Sequence, residues 1–66
     1  MNWIRLRELM MEYEGGISGI ARELNIKRHT LYKGLERKDL NIVRLEEICK
    51  ILGVSPRIFF NKHLKP

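Results

Sequence analysis

The chain is poor in cysteine and has no long hydrophobic run, and each shortage excludes a class of protein. Its single cysteine among 66 residues can form no internal disulfide, which favours a reducing compartment such as the cytoplasm. No apolar stretch approaches the roughly 18 residues that a membrane span needs. Because Arg5, Arg7 and Glu8 interrupt the apolar pattern near the start, we do not expect a signal peptide there.

Side chains with the chemistry of catalysis or metal binding are scarce and poorly spaced. His29, Cys49 and His63 match no known metal site, and Cys49 falls on a predicted buried stripe. Glu46 and Glu47 are adjacent, so on a helix their carboxylates point about 100° apart and form no acid–base pair. We therefore expect no enzyme activity, no cofactor and no small-molecule substrate.

The length predicts one domain, residues 1–66, with a small core that buries roughly 60% of the unfolded surface. Apolar residues recur at spacings of three and four and nowhere alternate as in a β-strand. This pattern predicts an all-α protein, a compact five-helix bundle whose polar tail, residues 61–66, frays. The predicted helices cover residues 3–13, 17–24 and 28–37, a fourth between Asn41 and Gly53, and a short fifth that Ser55-Pro56 opens.

Residues 17–37 have the pattern of a helix-turn-helix. Asn25 follows the last apolar residue of the second predicted helix, where the chain turns through a left-handed backbone that asparagine tolerates best after glycine. Ile26 is expected to plug this turn into the core. Gly34 within a helix lowers the helix stability by on the order of 1 kcal/mol relative to alanine. We expect the close approach of another helix backbone to explain the glycine at this position.

The positive charge is concentrated on the same segment. Residues 25–38 hold five basic side chains against Glu36 alone, net +4, whereas the first 24 residues have a net charge of −1. Leu31 and Leu35 are expected to point inward, so the basic and aromatic side chains share the opposite side of the third helix. Such a patch favours nucleic acid as the partner, with a merely solvated basic face as the alternative.

These residues resemble the lambda-repressor-like, or Cro/XRE-type, helix-turn-helix DNA-binding domains. Ala21 stands where that family has a small residue between its second and third helices, and Asn25 stands at its turn glycine. Leu31 stands at its buried position in the third helix. Residues 45–55 resemble its fourth helix and the turn that follows, and residues 20–35 are similar to its antitoxin-like branch. The resemblance covers nearly the whole chain.

The chain departs from the family pattern at three positions. Ile17 stands where many members have a glutamine that contacts a backbone phosphate, which puts that contact in doubt. Lys27 replaces the serine or threonine that usually caps the third helix, and a direct contact between this lysine and a phosphate is our hypothesis for its role. Gly34 replaces a larger apolar residue.

The third predicted helix would lie in the major groove with its first turns nearest the bases. Arg28 can donate two hydrogen bonds to a guanine, while cations beside the helix and the amide end of the second helix would hold phosphates. The predicted base contacts are Arg28, His29, Tyr32 and Lys33. The predicted phosphate contacts are Ser18, Gly19, Lys27, Arg37 and Lys38.

Several of these residues also have a purely structural interpretation. Tyr32 could lie across the helix and shield the apolar core. Arg28 could pair with Glu36 or another acid instead of a base. Arg37 and Lys38 could form a solvated helix end that suits the helix dipole.

The leading functional hypothesis is a sequence-specific transcriptional regulator, a small prokaryotic or phage repressor that acts by occupying a promoter. The alternative is an adaptor of antitoxin-like or anti-repressor type that keeps the fold and binds a protein. Single-stranded or RNA binding is disfavoured because few exposed aromatic side chains are available for stacking.

A single module covers few base pairs, so we expect a homodimer that presents two such helices to two half-sites. Four apolar residues fall off the main buried stripes and are predicted to form the dimer surface: Ile42, Ile51, Ile58 and Phe60. In the alternative arrangement, Ile58 and Phe60 fold back under the first helix and close the core.

Overall fold

The computed structural model describes residues 1–59. Within them the chain forms four α-helices and one short 3-10 helix: α1 (Trp3–Glu12), α2 (Gly16–Glu23), α3 (Arg28–Arg37), α4 (Ile42–Leu52) and the 3-10 turn (Pro56–Phe59). The all-α fold is confirmed, but the prediction of a five-helix bundle is wrong in its last element. The last element has only four helical residues, and a segment of one turn commonly takes the tighter 3-10 form. Residues 61–66, predicted to fray, lie outside the described residues.

Asparagine side chains cap the starts of α1 and α4. The Asn2 side-chain oxygen accepts a hydrogen bond from the Arg5 amide at 3.0 Å, and that of Asn41 accepts one from the Arg44 amide at 2.8 Å. Each bond satisfies an amide that has no partner inside its helix. The residue before α2 is Gly15, which has no side chain and so makes no side-chain capping hydrogen bond. Its φ of 89° is one that glycine adopts at little cost.

Apolar side chains from every element form one core. Leu6 and Met10 of α1 are fully buried, and Phe59 of the 3-10 turn is 1% exposed. The Asn2 amide donates to the Phe59 carbonyl at 2.9 Å, which fastens the 3-10 turn to the start of α1. The other buried residues are Ile17, Ile20, Ala21, Leu31, Leu35, Leu45, Ile48 and Cys49. No polar or charged side chain is buried within residues 1–59.

The turn between α2 and α3 has the predicted conformation. Asn25 has a φ of 61°, in the left-handed region. The Ile26 amide then donates to the Ala21 carbonyl at 3.0 Å, and the Ile26 side chain packs half-buried against the core. Ala21 is small and 1% exposed, and α2 and α3 are in contact. The turn therefore sets the orientation of α3 relative to α2.

Gly34 leaves room for a close contact, but not the one that the sequence suggests. A Cβ at Gly34 would lie 2.8 Å from the Cδ2 atom of Leu40, a side chain that follows α3 in the sequence. The expectation of another helix backbone at this position is therefore wrong. Leu40 folds back over the end of α3 and packs against the core, and a larger residue at position 34 would displace it.

Candidate nucleic-acid interface

Helix α3 has one buried side and one exposed side. Leu31 and Leu35 point into the core and are 1% and 8% exposed. The side chains that the sequence places opposite them are all exposed, and we call them the outer face: Arg28, His29, Tyr32, Lys33 and Glu36. The helix bounds, Arg28–Arg37, agree with the prediction. The helix-turn-helix thus presents four of the predicted contact residues on one exposed surface.

The cations of the outer face keep their charge uncompensated. Within residues 1–59 the two ion pairs are Arg5 with Glu8 and Arg44 with Glu47, and neither involves α3. The alternative in which Arg28 pairs with Glu36 is therefore wrong. Arg28 and Glu36 are eight residues apart in one helix, which puts their side chains more than two turns apart, since one turn spans 3.6 residues.

Three predicted phosphate contacts flank the outer face. Lys27 precedes α3 with an extended backbone, and its side chain makes no capping hydrogen bond. Arg37 is the last helical residue, and Lys38 follows it. All three side chains are exposed. These cations therefore lie at both ends of α3.

The predicted phosphate contact at the start of α2 needs a correction. Gly19 donates its amide to the Gly15 carbonyl at 2.9 Å and so has no free amide for a phosphate. A Cβ at Gly19 would lie 2.8 Å from the Glu14 carbonyl oxygen, which means that this glycine allows a close backbone approach. Ser18 lies one residue earlier and is half-buried, and it stays a candidate.

Lys38 has a backbone conformation that the sequence does not reveal. Its φ of 55° and ψ of 45° are left-handed, and the next amide, of Asp39, donates to the Gly34 carbonyl at 2.8 Å. This is the usual way in which a helix ends, but glycine normally occupies the left-handed position. The chain thus holds a lysine where the backbone favours glycine.

If Lys38 contacts a DNA phosphate, as the sequence predicts, Lys38→Gly should stabilise the fold while it weakens DNA binding. Glycine removes the left-handed strain, which we expect to raise the free energy of unfolding by about 0.5–1 kcal/mol. Loss of one phosphate contact should lower the slope of log affinity against log salt by about 0.9. Urea unfolding and duplex titrations at several salt concentrations measure the two effects. A lower unfolding midpoint, or an unchanged slope, would contradict this assignment.

The described residues contain no group of histidine, cysteine and carboxylate side chains suited to hold a metal ion. Cys49 is buried in the core, and burial, together with the nearby Glu46 carboxylate, raises the pKa of its thiol. A protonated thiol is a poor metal ligand. Within the same residues, none of the helices has the length and hydropathy of a membrane span.

A comparison with known protein families decides the class of this helical domain. The sequence profile of the Cro/C1-type HTH DNA-binding domain matches residues 5–57. The chain belongs to this family. The match runs from α1 into the 3-10 turn and so includes the whole helix-turn-helix. No curated protein and no solved structure gives a match. The predicted resemblance is thus confirmed, and the chain is a DNA-binding domain of Cro/C1 type.

Sequence reasoning missed Arg7 as part of the surface beside α3 of this Cro/C1-type domain. Arg7 lies on α1, yet it lines two surface cavities together with Tyr32. The helical period shows that Arg7 lies off the apolar stripe of α1, but it cannot show which neighbouring element the side chain approaches. That information comes only from the packing of α1 against the helix-turn-helix.

The predicted dimer surface is partly exposed in the Cro/C1-type domain. Ile42 and Ile58 are 58% and 38% exposed, whereas Ile51 is half-buried against the core. Val43, which was not among the residues predicted for this surface, is 61% exposed and adjoins Ile42. Phe60 lies outside the described residues. The aromatic side chain that closes the core is Phe59.

Proposed function

We propose that the protein is a sequence-specific regulator of transcription, a small repressor of bacterial or phage type that reads the major groove with α3. The observation that carries this proposal is the orientation of α3. Its apolar side is sheltered by the core, while its cations face outward without ion-pair partners within residues 1–59. Membership of a DNA-binding family identifies the class of ligand.

The dimensions of α3 suit this role. Its ten residues span about 15 Å, and the major groove of B-DNA, about 12 Å wide, admits one α-helix. Arg28 occupies the first helical position, where side chains of an inserted helix come nearest to the bases. Lys33 lies more than one turn further on, within reach of a base or a phosphate. In this arrangement Arg28 and His29 supply base readout, and Lys27, Arg37 and Lys38 supply affinity.

Repression would follow from occupancy of a promoter, because bound protein and polymerase compete for the same duplex. A second copy would raise affinity by placing two α3 helices in half-sites about 34 Å apart. We propose the exposed aliphatic residues Ile42 and Ile58 as part of that dimer surface, with Val43 beside them. A single cysteine, kept reduced, suits a cytoplasmic setting.

Adjacent exposure of Ile42 and Val43 also supports a second candidate function. A contiguous exposed apolar patch commonly marks a protein-binding surface. In this alternative the chain is an adaptor of antitoxin-like or anti-repressor type, and its target is a protein. Binding to such a partner would survive charge reversal at Lys33 and Arg37, whereas duplex binding would not.

Selection of bound duplexes from a random pool tests the proposed function. We expect enrichment of one short motif, or of two half-sites about one helical turn apart. Affinity for the enriched duplex should fall steeply with salt, by about 0.9 in the log–log slope for each neutralised phosphate. A pool that stays random, or a duplex affinity that is independent of salt, would refute the proposal.

A further inference from the structure

Two surface cavities connect α1 with the helix-turn-helix, and the same two side chains line both. Arg7 and Tyr32 line the first, of about 200 Å³, together with Leu35 and Glu36. They also line the second, of about 260 Å³, which extends to the start of α2 and includes Ser18. An arginine of α1 and a tyrosine of α3 thus line the same edge of the α3 surface.

Arg7 differs in its surroundings from the other arginine in the same helix. Arg5 pairs with Glu8 at 3.2 Å, whereas Arg7 makes no ion pair within residues 1–59. Both side chains are exposed. Arg7 therefore brings a positive charge that forms no ion pair within residues 1–59 from α1 to the edge of α3, although the segment that contains it has a net negative charge.

We infer that Arg7 and Tyr32 together hold one phosphate of the DNA backbone at the edge of the groove that α3 enters. This inference rests on the proposed function. A guanidinium can donate two parallel hydrogen bonds to a phosphate, and a phenol hydroxyl can donate a third. Tyr32 is 45% exposed, so its ring can border the cavity while its hydroxyl reaches the solvent.

The position of the pair favours a phosphate over a base. Tyr32 lies one helical turn beyond Arg28, on the part of α3 that faces α1 and the start of α2. When a helix occupies the major groove, elements beside it meet the sugar–phosphate walls and not the base edges. Tyr32 is accordingly reassigned from base readout to positioning on the backbone.

Glu36 is the rival partner for Arg7, because it lines the first cavity together with Arg7. If Arg7 served only to offset this negative charge, it would affect DNA binding indirectly. The two roles differ in a double substitution. A direct contact persists when Glu36 is replaced by glutamine, whereas an indirect effect disappears.

Salt titrations with the selected duplex test the inference, with Arg7→Gln as the variant and Arg5→Gln as the matched control in the same helix. We expect Arg7→Gln to lower the log–log salt slope by about 0.9, so that the wild-type advantage shrinks three- to four-fold between roughly 50 and 200 mM salt. Arg5→Gln should keep the wild-type slope. Glutamine is nearly as good a helix former as arginine, so both variants should fold.

Two further measurements separate the contact from its alternatives. In a Glu36→Gln background, Arg7→Gln should still lower the slope by about 0.9, and an unchanged slope there would overturn the direct contact. Neutral methylphosphonates placed one at a time in the duplex should weaken the wild type at one position to which Arg7→Gln is insensitive. Tyr32→Phe should weaken that same contact and leave base preference unchanged, and an altered preference would return Tyr32 to base readout.

Failure of this inference is distinguishable from failure of the proposed function. If the wild-type protein selects a duplex but Arg7→Gln keeps its full salt slope, only the assignment of Arg7 is wrong. If the wild type selects no duplex, the proposed function fails first, and the assignment of Arg7 to a DNA phosphate fails with it.

Discussion

Replacement of Phe59 by alanine is expected to leave most of the chain unfolded at physiological temperature. Phe59 is 1% exposed and is among the largest fully buried side chains. Truncation of a buried phenylalanine costs about 3–5 kcal/mol, since apolar contacts are lost and a cavity remains. A core in a chain of fewer than about 70 residues rarely supplies more than that amount. The variant should therefore lose its cooperative transition in urea or show it at a far lower midpoint.

Ile58→Ala is the matched control for this experiment. Ile58 lies in the same 3-10 turn but is 38% exposed, so its truncation removes less buried surface. We expect a shift of about 1 kcal/mol or less. If Phe59→Ala kept the wild-type midpoint, the 3-10 turn would not close the core, and its hydrogen bond to Asn2 would be incidental.

Replacement of Arg28 by alanine is expected to change which sequences the protein prefers, and not only how tightly it binds. A bidentate contact with guanine contributes about 1–3 kcal/mol of discrimination, or roughly five- to 150-fold between the right and the wrong base. Arg28 is exposed at the first position of α3 and has no ion-pair partner within residues 1–59. Selection repeated with Arg28→Ala should return a motif with one position relaxed.

Arg37→Ala provides the comparison, because Arg37 is an exposed arginine at the opposite end of the same helix. Its replacement should weaken all sequences alike and leave the motif intact. Equal losses across unrelated sequences for both variants would argue against direct readout by the first turn of α3. The two arginines would then act as point charges.

Local features of the fold were predictable from sequence because neighbouring residues determine them. The bounds of α3, the caps at Asn2 and Asn41, and the left-handed backbone at Asn25 all follow from residue type and helical spacing. The shelter of Leu31 follows in the same way. The caps, the bounds of α3 and the turn depend on contacts within about one helical turn, and the side of α3 that is buried follows from its apolar spacing.

The features that the sequence did not predict are contacts between distant parts of the chain, or a backbone conformation that the residue type disfavours. Leu40 covers Gly34, and Arg7 approaches Tyr32, only because of how the elements pack. Lys38 takes a left-handed backbone although lysine does not favour it. The last element is a single 3-10 turn of four residues, and this short segment already brings Phe59 into the core.

Chemical-shift mapping of the isotope-labelled protein with its selected duplex tests most directly whether α3 is the DNA-binding surface. If α3 is the DNA-binding surface, we expect the largest amide shifts in residues 27–38 and a smaller set at Arg7 and residues 16–18. Shifts concentrated on α4 and the 3-10 turn, with residues 27–38 unaffected, would contradict it.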